Sequence, residues 1–280
     1  MSKAKRSWGL VLSGGAACGL ANAGVLEVLD REGYVPDTIA GSSMGAIVGA
    51  LYALGLRTKD LKKLTEFLKM GSVATLTERP LEGGLHGGVL KQNIEAFLSP
   101  LVGDATIGDT KIPFVCVAGL VKSPIHWKKI VTGGFTDHVM RSIDLHIFPK
   151  KTRLIDALLA TSAIPVVFSP ADVSGQTFVD LCHFGSIPAR TLRSVYQPEV
   201  VIGTDTTPRY EKIERYLPPP WQEFLRSGYA CLDESRGACD LTIEPEMPAS
   251  LFRFDKATEF WSAGKEAAEK VLPEIRSLLT

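Results

Sequence analysis

Short apolar runs alternate with stretches of helical periodicity along most of this chain. Trp8, Leu10, Val11 and Leu12 form a run that ends at Ser13, Gly14 and Gly15, after which Leu20, Ala23, Gly24, Leu26 and Val28 recur at largely helical spacing over residues 20–32. A second run, Thr38 to Ala40, leads through Gly41-Ser42-Ser43-Met44-Gly45 into a helical stretch that reaches Leu54 and stops at Gly55. Each unit reads as strand, tight turn, helix. Residues 56–112 are less regular, with an amphipathic piece at 59–70, a glycine-rich stretch at 82–88 and a helical pattern at 89–98, and are read as a cap or insertion over the sheet. Residues 112–120, 125–132, 176–179 and 199–203 then read as strands and 154–161 as a helix. Pro218 to Pro220 precede a helix at about 221–233, and 256–279 reads as one long amphipathic helix. The alternation predicts an α/β fold: a mostly parallel central sheet with helices on both faces, in a single domain spanning residues 1–280.

Composition narrows the class. The 280 residues carry 31 Lys+Arg against 31 Asp+Glu, and 45% are hydrophobic. There is no global basic field of the kind that marks a nucleic-acid binder, so no nucleic-acid partner is expected, and no long disordered tract either. Lys3, Lys5 and Arg6 precede an apolar stretch, but Ser13, Gly14 and Gly15 interrupt what would be the core of a signal peptide. No window reaches the roughly 18 uncharged apolar residues of a membrane-spanning helix. The expected setting is cytoplasmic, with membrane contact peripheral. Cys18, Cys116, Cys182, Cys231 and Cys239 are widely spaced and lack a Cys-x-x-Cys unit, so they read as small hydrophobes in a reducing compartment, not as a zinc site or disulfide framework.

Ser43 stands in a Gly-x-Ser-x-Gly pentapeptide, Gly41 to Gly45, between an apolar strand and a helix. The glycines permit a tight turn and close approach of neighbouring backbone. A serine there presents its hydroxyl at the carboxyl end of the strand, where the helix N-terminus favours a developing anion. Simple capping by Ser42 or Ser43 is the plainer alternative. Gly45, Ala46, Gly49, Ala50 and Ala53 make one helix face small enough to pack closely on a sheet, which suits a constrained elbow.

Residues 12–19 lead from a strand into a helix, so several backbone amides can point into one concavity. A phosphate loop would run from its last glycine into Lys and Ser/Thr, where Leu20 and Ala21 stand; a dinucleotide fingerprint needs glycine at Ala16. An oxyanion loop has neither requirement. Beside a nucleophilic Ser43, the amides of Gly14, Gly15 and Ala16 are placed to receive the oxygen of a tetrahedral intermediate.

Four segments, in order, resemble the patatin-like acyl hydrolases over most of the chain. Residues 12–26 look like the glycine-rich oxyanion loop and its helix, and 39–50 like the nucleophile elbow. Residues 156–170, with Ser162, Ile164, Pro165 and Phe168, resemble the segment before the catalytic aspartate, whose place within 178–188 is taken by Asp180. The resemblance implies a patatin-like three-layer fold and hydrolysis of lipid carboxylic esters by a Ser-Asp dyad, Ser43 as nucleophile and Asp180 as base, without metal or cofactor. Such a pair is chemically sound: a carboxylate against the hydroxyl takes its proton during attack, and burial raises the carboxylate toward the useful range. This chain has Ala16 and Cys18 where the family usually has glycine and arginine, and Leu181 and Cys182 where it has glycine and a small residue. Those departures motivate the alternative, a catalytically weak or silent lipid-binding or regulatory relative.

Other residues have plainer readings. His183, three positions from Asp180, is a candidate third base but reads more simply as a turn histidine, and Asp205, at a strand end, is a fallback carboxylate. His86, His126, His138 and His146 form no metal-ligand spacing. The amphipathic stretch with Leu61, Leu64 and Leu68 is read as a core-packing face before a membrane-lying one, and the final helix as packing only.

Overall fold

A computed structural model describes residues 6–69, 89–123, 135–165, 168, 170–209 and 214–280. The strand expected over 125–132 and the glycine-rich stretch 82–88, with His86 and His126, lie outside the described residues.

One sheet contains β1 (Trp8–Leu12), β2 (Thr38–Gly41), β3 (Phe114–Val121), β4 (Ile143–Ile147), β5 (Ala171–Val173), β6 (Gln176–Val179), β7 (Val200–Thr204) and β8 (Leu241–Ile243). Their order is β5-β6-β3-β2-β1-β7-β8, with β4 paired to β3 off that line. The stretch from β3 to β8 is parallel, and β4, β5 and β6 pair antiparallel beyond it. In β1, Trp8, Leu10 and Leu12 face one core and Val11 the other; β2 divides Ile39 from Ala40, and β7 divides Val200 and Ile202 from Val201. Both faces are buried, so the period-2 alternation is masked and these strands read as unbroken apolar runs.

The helices are α1 (Ala21–Arg31), α2 (Ser43–Leu54), α3 (Thr58–Lys69), α4 (Val89–Val102), α5 (Phe135–Ser142), α6 (Leu154–Thr161), α7 (Ala189–Tyr196), α8 (Pro219–Arg236), α9 (Ala257–Lys270) and α10 (Leu272–Leu279). α1, α2, α6 and α9 cover the larger core, while α7 and α8 cover the smaller one through Leu192 and Leu232. α3 turns Leu61, Leu64 and Leu68 into the larger core. The three layers expected from the alternation of elements are therefore present.

Two expectations are corrected. Residues 256–279 are two helices, because Pro273 has no N–H for the Glu269 carbonyl; α9 ends at Lys270 and α10 restarts with the proline in its first turn. The helix read from Leu20 opens instead as a tight 3₁₀ turn, Ala16–Leu20, and becomes α-helical at Ala21. The sequence reading also lacked β4, β5, β8, α5 and α7. β5 and β8 have three residues each and β4 exposes Asp144 and Leu145, so none of these strands carries a sustained period, while α5 and α7 are amphipathic but only about two turns long.

β1 lies between β2 and β7, with Leu12 opposite Gly41 and Val11 opposite Gly203. The loops leaving these three carboxyl ends converge, which is where parallel sheets form their ligand crevices.

Candidate active site

The turn after β2 is sharp. Ser42 is extended (φ −131°, ψ 141°), and Ser43, the first residue of α2, has φ 51°, a left-handed conformation that costs a residue with a Cβ roughly 1–2 kcal/mol. The turn forces α2 onto the end of β1: a Cβ at Gly45 would lie 2.2 Å from the Leu12 carbonyl oxygen. Gly41 closes β2 against the same first turn of the helix. The Ser43 N–H donates to Thr161 Oγ1 (2.9 Å), and that hydroxyl donates to the Val117 carbonyl (2.6 Å). The elbow is thus tied through α6 to β3, and Ser43 itself is only 5% exposed.

Asp180 follows β6, is also 5% exposed, and donates its N–H to the Ala163 carbonyl (2.9 Å). Its carboxylate accepts the Cys182 N–H at Oδ1 (2.7 Å), and the neighbouring Ser43 side chain favours its charged form. Burial pushes its pKa up to about 6, with Ser43 and the Cys182 amide pulling the other way. Cys182 takes a left-handed φ of 49°, the conformation a glycine would favour, and so turns its amide onto the carboxylate despite carrying a side chain. Burial, then the neighbouring Asp180 charge, holds the Cys182 thiol well above its ordinary pKa, so it is not a competing thiolate.

The glycine loop faces the pair. A Cβ on Gly14 would come within 3.1 Å of Ser43 Cβ, and Gly15 has φ 143°. The expectation of three donor amides is corrected to two: Gly14 N–H is engaged with the Ser186 carbonyl (3.1 Å), which fastens the loop to the segment after Asp180. Among the described residues the N–H groups of Gly15 and Ala16 meet no acceptor, while Ala17 and Cys18 donate to Leu251 and Gly15.

A buried polar lattice that sequence reasoning missed fixes the loop's shape. Thr204 Oγ1 accepts the Ser13 N–H (3.0 Å) and donates to Asn22 Oδ1 (2.5 Å), whose amide donates to the Ser13 carbonyl (2.9 Å). Thr206 donates its N–H to Ser13 Oγ (2.8 Å) and its hydroxyl to the Gly14 carbonyl (2.6 Å). Asn22 interrupts an apolar helix, Thr161 and Ser186 lie within the segments 156–170 and 178–188, and Thr204 and Thr206 belong to the polar run 204–207. Their only sequence signal is a polar residue where burial is expected, and it names no partner.

Ser43, Asp180, Gly15, Ala16 and His183 line one pocket of ≈ 440 Å³ with Trp221, Phe224, Leu225 and Phe252 among its apolar walls. A narrow apolar slot of ≈ 30 Å³ meets it at Ser43 and Ala16, lined by Met44, Ile47, Leu68, Ile94 and Phe254. His183 stacks edge-on to Tyr229 (5.3 Å), and its Nε2 is buried without a partner among the described residues. Burial lowers its pKa, and the hydrogen bond that Asp180 Oδ1 accepts comes from Cys182 N–H. Asp205 accepts the Thr207 N–H (3.0 Å), faces Arg236 (3.7 Å) and lies outside the pocket lining, so it is not brought to Ser43. His146 packs on Phe148 and Phe178, away from both pockets. No group of three or more His, Cys, Asp or Glu among the described residues is arranged to hold a metal ion.

Comparison with known proteins places these features. Across 290 aligned positions the chain is 27% identical to an uncharacterized NTE family protein of Mycobacterium tuberculosis, covering 96% of this chain and 47% of that protein. It is 52% identical over 48 residues to lysophospholipase nte1 of Aspergillus niger, 17% of this chain and 3% of the relative. The chain spans about half the length of the first of these relatives, and far less of the second. Among solved structures, VipD from Legionella pneumophila aligns with 97% of this chain and 67% of its own at 12% identity, with a TM-score of 0.46. The family model of the patatin-like phospholipases matches residues 10–180, from β1 through the glycine loop and the serine elbow to Asp180, and the chain belongs to that family.

Proposed function

We propose that this chain is a serine acyl hydrolase acting on lipid or related carboxylic esters through a Ser43–Asp180 dyad. The observation that carries the reading is the convergence of Ser43 and the buried Asp180 carboxylate on one pocket, with Ser43 near enough to favour the ionised carboxylate and with two loop amides that meet no acceptor among the described residues. Ser43 Oγ attacks the ester carbonyl as Asp180 takes its proton, and the carbonyl oxygen, now an oxyanion, accepts from Gly15 and Ala16 N–H. Collapse breaks the bond to the alcohol, which leaves with the proton from Asp180. Water then gives a proton to Asp180 and attacks the acyl carbonyl; release of the acid returns the proton to Ser43. The scheme calls on no metal or cofactor.

Residues 1–280 form one hydrolase domain in this reading, with about 56–112 shaping the acyl side of the pocket through Leu68 and Ile94. Phe252, 47% exposed at the pocket wall, and Tyr216, 73% exposed beside the lining residue Leu217, support peripheral contact with a lipid surface from the cytoplasmic side. No helix among the described residues is long and apolar enough to cross a membrane. Labelling by a fluorophosphonate tests the dyad without assuming a substrate. Labelling of wild type, its loss in Ser43→Ala and its slowing in Asp180→Asn are expected. A folded wild type that does not label would leave the silent lipid-binding relative as the better account.

A further inference from the structure

The large pocket has an unusual charge pattern for a phospholipid site. Asp180 is the one carboxylate among its described lining residues, and no lysine or arginine is among them. Three arginines close in sequence to the lining are paired with carboxylates, Arg226 with Glu214 (2.5 Å), Arg253 with Asp255 (2.6 Å) and Arg209 with Asp233, and Arg215 packs on Tyr216. At the glycine loop, Cys18 is fully buried with its thiol toward the Ala249 carbonyl, so that position directs no cation into the pocket. A phosphate placed here would be desolvated beside the Asp180 carboxylate with no cationic side chain among the described lining residues, which is unfavourable.

The pocket offers hydroxyl chemistry instead. Ser186 Oγ and Thr207 Oγ1 lie 2.7 Å apart in its wall, which also contains Trp221 and Phe224. Two hydroxyls joined by one hydrogen bond use one of their two protons, so the pair keeps a donor and free lone pairs for an oxygen-bearing ligand. Resting on the hydrolase reading above, we infer that the preferred substrate is an acyl ester of an uncharged polyol, a monoacylglycerol being the simplest, whose free hydroxyl binds the Ser186–Thr207 pair. In this role Ser186 and Thr207 determine specificity and take no part in bond breaking.

The test compares 1-oleoylglycerol, 1-oleoyl-lysophosphatidate and 1-oleoyl-lysophosphatidylcholine in neutral detergent micelles, with fluorophosphonate labelling and p-nitrophenyl butyrate turnover followed in parallel. The expected result is a kcat/KM at least about tenfold higher for the glyceride than for either phospholipid, a difference of about 1.4 kcal/mol. Thr207→Val is expected to lower the ratio of glyceride to p-nitrophenyl butyrate turnover severalfold, and Thr207→Ser to restore it. Equal or faster turnover of a phospholipid, no glyceride turnover, or an unchanged ratio in Thr207→Val, each with labelling intact, overturns this inference alone. Absence of both labelling and p-nitrophenyl butyrate turnover in folded wild type overturns the hydrolase reading and this inference with it.

Discussion

Ser43 and Cys182 both hold a left-handed φ, 51° and 49°, and both bear on the carboxylate of Asp180, Cys182 by donating its amide and Ser43 by favouring the charged form from close by. Ala16, on the facing loop, is a third non-glycine residue in that region, with φ 46°. Each such residue costs roughly 1–2 kcal/mol locally, so the surrounding packing and hydrogen bonds must hold it in place. Strain gathered around one buried carboxylate is what a site held against local preference looks like.

The raised pKa of Asp180 sets a pH dependence for both activity and stability. As the base it must be ionised, so the rate of fluorophosphonate labelling should rise with pH through about 6 and level off above it. Its folded value lies above the ordinary aspartate value of 3.8, so its favourable contribution to stability is full below about pH 4 and is lost as pH rises to about 6. Asp180→Asn removes that loss, and above pH 6 the variant should be more stable than wild type by up to about 3 kcal/mol. Urea unfolding at pH 4 and pH 7.5 checks this, and an equal stability difference at the two values would count against a buried, titrating Asp180.

Cys182 tests whether the residue after Leu181 matters for its side chain or for its backbone. Cys182→Gly keeps the N–H to Asp180 and removes the left-handed penalty, so labelling should persist with stability within about 1 kcal/mol of wild type. Cys182→Val places a β-branched residue at φ 49° and should destabilise by about 1–2 kcal/mol while slowing labelling. Equal behaviour of the two variants in thermal melts would rule out the backbone account.

Thr161 holds the elbow through a hydroxyl that serves both Ser43 and Val117. Thr161→Val leaves a buried N–H and a buried carbonyl unpartnered, at a cost of about 1–3 kcal/mol, and frees the turn that aims Ser43. Thr161→Ser should recover most of both losses. A Thr161→Val protein that labels at the wild-type rate would show that the elbow does not depend on this bond.

Gly45 tests the contact between α2 and β1. The Leu12 carbonyl, 2.2 Å from an added Cβ, is backbone and cannot swing aside, so Gly45→Ala should destabilise by about 3 kcal/mol and abolish labelling. Circular dichroism melts beside labelling separate the two effects; a variant with wild-type melting temperature would refute the close approach.

The sequence by itself determined the order of the longer elements around the glycine turns, β1, α1, β2 and α2, together with β3, β6 and β7, because those depend on neighbours along the chain. Buried parallel strands appear as apolar runs, the breaks at Gly14-Gly15 and Gly41 to Gly45 mark turns that need little or no side chain, and Gly55 ends α2 with a φ of 104°. That was enough to single out Ser43, Asp180 and the glycine loop. Tertiary structure alone decided which groups meet. The pairing of β1 with both β2 and β7 brings Ser13 to Thr204 and Thr206, 191 and 193 residues away, and it is the loop's own closure onto Ser186 that removes Gly14 from the donor amides. The left-handed dihedral at Cys182 that turns its amide onto Asp180 was equally beyond local reading, because only the packed structure can impose it.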